Sequence, residues 1–163
     1  MTHPSNASYN PYPLSQLRTE RMWEGKEDES GVGVSLSVQH HPAVDIAGCA
    51  IPMQQIYQRL NTAPDAIAAF CEKWQIAELA LFGSVLRDDF RPNGTHPSDI
   101  DLLFSYLPGA NMSLLRRAKI KIELEHLFGH SVDLLMAIEV IDSHNLIRRK
   151  HILDAIQIVY IKR

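Results

Sequence analysis

"LFGSVLRDDFRPNGTHPSDIDLLF", residues 81–104, is the stretch whose reading decides the fold. It begins at the end of an apolar run that breaks at Gly83-Ser84, and it closes with a second apolar run interrupted by Asp99 and Asp101. On a β-strand, residues i and i+2 share a face, roughly 6.6 Å apart along it. Asp99 and Asp101 therefore project together, while Ile100 and Leu102 turn the other way into the core. Acids seldom interrupt a buried strand without a partner or a task.

Working outward, "IAELALF" (76–82) is a short apolar run consistent with a buried strand. Ser84 to Asp88 fits a helical turn. "RPNGTHPS" (91–98), with two prolines and an Asn-Gly, is a loop. "DIDLLFSYL" (99–107) is a strand. "MSLLRRAKIKIELEHLF" (112–128) is a helix that ends before Gly129. "SVDLLMA" (131–137) is a third strand with Asp133 between Val132 and Leu134, and "IDSHNLIRRKHILDAIQIVY" (141–160) is expected to be one amphipathic helix. Upstream, Ala63-Pro64-Asp65 opens a helix with Ile67, Phe70, Cys71 and Trp74 on one side. The expected order is helix, strand, short helix, strand, helix, strand, helix, with no internal repeat.

Residues 1–52 differ in kind. They hold five of the nine prolines and many Ser, Asn and Gly, and only "VSLSV" (34–38) alternates like a strand. Such a segment buries too little apolar surface to offset its ordering entropy, so a low-complexity, disordered N-terminal extension is expected there. "MQQIYQRLNTAPDAIAAF", from Met53, reads as the start of a compact domain running to residue 163. Either Met53 is the natural start, or the first 52 residues are a tail that contacts a partner.

The chain of 163 residues is long enough for one domain with a real core. Hydrophobic residues at 45% and charged residues at 21% fit a globular protein, and a net charge of −3 gives no hint of a broad nucleic-acid surface. Cys49 and Cys71 sit in no metal-ligand spacing and read as reduced thiols. No apolar run approaches the roughly 18 residues of a membrane helix, and the N-terminus lacks the pattern of a signal peptide. The expected location is the cytoplasm.

If a neighbouring strand brings Asp133 beside Asp99 and Asp101, three carboxylates repel one another and lose solvation unless cations neutralise them. Hard divalent ions with oxygen ligands do this, Mg²⁺ above all. Two such ions can clamp the attacking and leaving oxygens of a phosphoryl or nucleotidyl displacement. Gly83 lets a phosphate approach the backbone, Ser84 adds a hydroxyl at the mouth of a helical turn, and Arg87 lies one turn on.

The segments "LFGSVLR" (81–87), "SDIDLLF" (98–104) and "VDLL" (132–135) together resemble the nucleotidyltransferase superfamily related to the DNA polymerase β palm. Within it they most resemble the minimal nucleotidyltransferases, small proteins paired with a HEPN-domain partner. The resemblance covers residues 53–163. It implies an α+β fold, a small mixed β-sheet with helices packed on it. It implies that Gly83 and Ser84 hold the triphosphate, with Arg87 matching a Gly-Ser-x-x-Arg extension. Asp99 and Asp101 would bind both metals, and Asp133 the catalytic metal while helping to activate the acceptor hydroxyl. The implied reaction moves AMP from ATP, with two Mg²⁺, to a hydroxyl of a HEPN toxin, which makes this chain the antitoxin of the pair. Fourteen residues separate Ser84 from Asp99, more than the family's usual spacer, and the surplus falls in the 91–98 loop, where insertions cost little.

Two other readings stand beside it. One is a non-catalytic antitoxin that silences its partner by occlusion. The other is a small-molecule nucleotidyltransferase of the aminoglycoside type, which usually carries a further substrate domain. Arg91 and His96 match an Arg-x4-His spacing, but Pro92, Asn93 and Gly94 rule out the helix that such a motif needs. His126 and His130 are separated by Gly129, so they share no helix face for a metal. The clusters "RRAKIK" (116–121) and "RRKH" (148–151) read first as solvated helix faces, with a docking surface for an acidic partner or RNA as the alternative. Ile138, Val140, Ile141, Ile156, Ile158 and Val159 read as core.

Overall fold

The computed structural model describes residues 13–15, 51–111 and 113–162. The "VSLSV" segment, Cys49 and most of the extension expected to be disordered lie outside the described residues.

The elements run α1 (Met53–Arg59), α2 (Pro64–Trp74), β1 (Ile76–Phe82), a 3-10 turn (Gly83–Leu86), β2 (Ile100–Tyr106), α3 (Leu114–Phe128), β3 (Val132–Met136), α4 (Ala137–Ile141), α5 (Leu146–Asp154) and β4 (Gln157–Ile161). The four strands form one sheet in the order β3-β2-β1-β4. The β1–β2 and β1–β4 pairs are antiparallel and β2–β3 is parallel. This is the mixed sheet of an α+β fold.

Local chemistry sets the helix bounds. Pro64 occupies the first turn of α2, and Gln75 in left-handed backbone (φ 57°) ends it. Ser113 is not helical. It caps α3, its side chain accepting from the Arg116 amide at 3.1 Å, and Gly129 (φ 70°) stops the helix.

The end of the chain corrects the expected single helix over 141–160. Two helices, α4 and α5, give way to β4, which pairs with the free edge of β1. Asn145 starts α5, accepting from the Arg148 amide at 3.0 Å. The β-branched run Ile156, Ile158, Val159, Ile161 prefers a pleated surface, and pairing with β1 satisfies backbone groups that a helix would leave at an open edge.

Both faces of the sheet are covered, which is why β1 and β2 read as near-continuous apolar runs. One face packs Leu79, Leu81, Ile100, Leu102, Phe104, Val132 and Leu134 against Ile56, Ile67, Phe70, Ile120, Leu124 and Phe128 of α1–α3. The other packs Ala80 and Leu103 against Val140, Ile152 and Leu153 of α4 and α5, joined by Leu14. Leu14 is fully buried, although it falls in the extension that composition marks as disordered. Cys71 is buried in the first layer, and that burial, with Glu72 nearby, pushes its thiol up to about 12 and disfavours the thiolate.

Phe104 is fully buried and meets Tyr106 edge-on, centroids 4.7 Å apart. Phe104→Ala is expected to cost about 3–5 kcal/mol in urea unfolding, whereas Leu146→Ala, on an exposed side of α5, should change stability by less than about 0.5 kcal/mol.

Candidate active site

β1 ends in extended backbone at Phe82 (φ −147°), which lies opposite Asp101 in the antiparallel register. The chain then turns at Gly83, where φ is +75°. The turn closes with the Arg87 amide donating to the Ser84 carbonyl at 2.9 Å. A Cβ at position 83 would stand 2.1 Å from Asp101 Oδ2 and 3.0 Å from its Cγ. Glycine suits this position on two counts: the left-handed backbone, and the Asp101 carboxylate, whose end would have to shift to admit a Cβ.

Parallel pairing places Asp101 directly beside Asp133 on β3. Asp99 lies two residues before Asp101, just ahead of β2. Asp101 is half-buried and its carboxyl is raised from 3.8 to about 6, first by burial, then by the charges of Asp133 and Asp99, with Arg87 opposing. The three acids predicted from sequence therefore share one electrostatic neighbourhood, beside the Gly83-Ser84 corner. Hard oxygen donors under mutual repulsion suit a divalent cation. As the side chains stand, no three His, Cys, Asp or Glu among the described residues come close enough to ligate a single ion.

Arg87 does not sit in a helix. It follows the 3-10 turn in extended backbone (φ −122°), and its guanidinium makes a two-pronged bond to Asp89 at 3.0 and 3.1 Å. That bond holds the Asp89 carboxyl below its usual range. Arg87 still faces the site closely enough for Asp101 to act on its charge.

Sequence reasoning missed two supports. Arg59, at the end of α1, donates to the carbonyls of Val85 at 2.8 Å and Arg87 at 2.6 Å, and its guanidinium lies 5.6 Å from the Phe90 ring centroid. It fixes the turn that carries Gly83 and Ser84. Arg117 of α3 reaches over the edge of β3, donating to the Leu134 carbonyl and pairing with Glu139, each at 2.5 Å. It is thereby committed within the fold and is not part of a merely solvated face. Neither residue carries a local motif.

The long spacer is an exposed loop pinned at its neck, the Ser98 amide donating to the Arg91 carbonyl at 2.8 Å and the Arg91 amide to Ser98 Oγ at 3.1 Å. This neck leaves the β2 register intact. His96 lies out on that loop, His126 is exposed on α3, and the His130 ring sits 6.0 Å from that of Phe90. Asp133 lines a hollow of about 290 Å³ with Leu114, Arg117, Ala118, Lys121 and Leu134.

The family model described as a nucleotidyltransferase domain matches residues 65–159. The chain belongs to this family. No curated protein sequence matches it. Among solved structures it is similar to a minimal nucleotidyltransferase (26% identity, TM-score 0.43, 68% of this chain and 98% of that one). It is also similar to the MntA–HpeT toxin–antitoxin (12% identity, TM-score 0.44, 62% and 75%). A third is the Shewanella oneidensis complex of a tri-AMPylated HEPN toxin with an MNT antitoxin (14% identity, TM-score 0.41, 66% and 73%). No helix among the described residues is long and apolar enough to cross a membrane.

In this nucleotidyltransferase domain the raised Asp101 makes a signed prediction. As pH falls through about 6 the folded chain takes up a proton, which the unfolded chain accepts only near 3.8, so ionised Asp101 weakens the metal-free fold above pH 6. Asp101→Asn should therefore raise the melting temperature above that pH, and the gain should vanish as the pH falls toward 3.8. A gain independent of pH would contradict the assignment.

Proposed function

We propose that this domain transfers AMP from ATP to a hydroxyl of a partner protein, and that the chain acts as the antitoxin of a HEPN-type pair in the cytoplasm. The observation that supports the reading is Asp101 paired beside Asp133, with Asp99 near enough to act on its charge, against the Gly83 turn.

In this reading the acceptor oxygen bonds to the α-phosphorus, the bond from that phosphorus to the bridging oxygen breaks, and pyrophosphate leaves. Gly83 opens the backbone to the triphosphate, Ser84 Oγ donates to it, and Arg87 faces its charge. Arg59 keeps those groups aligned. Asp133 accepts the acceptor's proton. Asp99, Asp101 and Asp133 would hold two Mg²⁺, which when bound would offset negative charge on the phosphoryl oxygens and leaving group. No covalent enzyme intermediate is needed, since positioning and charge neutralisation suffice.

A second reading, occlusion of the partner without catalysis, is favoured by one observation: no three of the described acids are closed into a ligand set. The two separate cleanly. With α-labelled ATP, Mg²⁺ and the partner, the catalytic reading predicts label on the partner and release of pyrophosphate. Asp99→Ala or Asp101→Ala should each lower the rate by about a hundredfold or more. Partner neutralisation that survives in the double variant, with no label transferred by the parent chain, would establish occlusion instead.

A further inference from the structure

Glu78 lies within β1 and is 4% exposed, yet the reaction gives it no work. It shares the sheet face of Asp101, separated from it along the strands by Ala80 and Leu103. Its carboxylate accepts from the Leu14 amide, from the Ser15 amide at 3.4 Å, from Ser15 Oγ at 2.6 Å and from Ser105 Oγ at 3.4 Å. Three of these four donors come from two residues more than sixty positions upstream. Leu14 itself is fully buried, packed into the apolar layer formed by Ala80, Leu103, Ile152 and Leu153.

We propose that the sheet face around Glu78 is a docking seat for the chain's own upstream segment, with Leu14 as the apolar anchor and the Leu14–Ser15 donors reading the carboxylate. The chemistry of the seat requires an occupant. Without residues 14 and 15, the Glu78 carboxylate would keep only the long bond from Ser105 among the contacts described, and a buried acid so poorly paired is strongly destabilising. Removing Leu14 would also open a void beneath α5, whose Ile152 and Leu153 rest on the same layer. The main-chain amides and a short hydroxyl answer the acid, while the leucine fills the adjoining apolar gap. The two halves of the site are therefore complementary in charge and in shape. The occupant is the chain itself, because that is the segment seated there. The seat ties the upstream region to the helical layer on the face that bears Asp101 and Asp133, and it does not depend on the catalytic reading.

Amide hydrogen exchange on the full-length protein tests this. The Leu14 and Ser15 amides should exchange at least about tenfold more slowly than in an isolated peptide spanning residues 8–20. Glu78→Leu removes both acceptor oxygens at similar volume, and Leu14→Asp changes only the segment. Each should return those amides to the peptide rate while the β2 amides stay protected. Should Glu78→Leu fail to fold, Leu14→Asp carries the test alone. Peptide-like exchange in the parent chain, or protection unchanged in the folded variants, overturns the proposal. So does protection that rises with protein concentration alongside a dimer on sizing, since the occupant would then come from a second copy.

Discussion

The contact between the Gly83 backbone and the Asp101 carboxylate organises this domain. A Cβ at position 83 would overlap Asp101 Oδ2, so glycine at the turn lets the carboxylate lie against the backbone without shifting. That approach sets a charged group against the very backbone that must change direction. Parallel pairing then adds Asp133 at the same level on the next strand, and Asp99, just ahead of β2, lies near enough for its charge to act on Asp101. Asp101 pays for this crowding with a carboxyl that resists ionisation, a condition that a cation would relieve.

The rest of the fold keeps that crowded corner in place. Helices on both sheet faces make β1 and β2 the buried middle of the structure, while the acids sit where the strands reach the edge of the apolar layers. Arg59 ties the first helix to the turn through two carbonyls, so the glycine–serine corner is braced from outside the sheet. Arg117 braces the open edge of β3 in a similar way, which steadies the strand carrying Asp133. The basic groups Arg117 and Lys121 border the hollow that Asp133 lines, leaving opposite charges side by side at the surface.

The sequence made some of this legible and hid the rest, for physical reasons. Three apolar runs interrupted by acids at strand spacing revealed β1, β2, β3 and the carboxylate cluster, because period-2 patterning is a local signal. Gly83 was legible from its place between such runs, though its contact with Asp101 was not. The last strand was hidden because Ile156, Ile158 and Val159 suit a helix face as well as a pleat, and only the open edge of β1 decides between them. Arg87 was singled out from the sequence, but its pairing with Asp89 was not legible there. Arg59, Arg117 and the meeting of Leu14 with Glu78 leave no trace in a single sequence, since each joins residues that only the fold brings together.

The central proposal is that the three acids close around a divalent cation when it binds. Calorimetric titration of the metal-free protein with Mn²⁺, in the absence of nucleotide, measures this most directly. The account predicts saturable binding that is abolished in Asp101→Asn and weakened in Asp133→Asn. No heat of binding in the parent protein, or the same isotherm in all three, would contradict it.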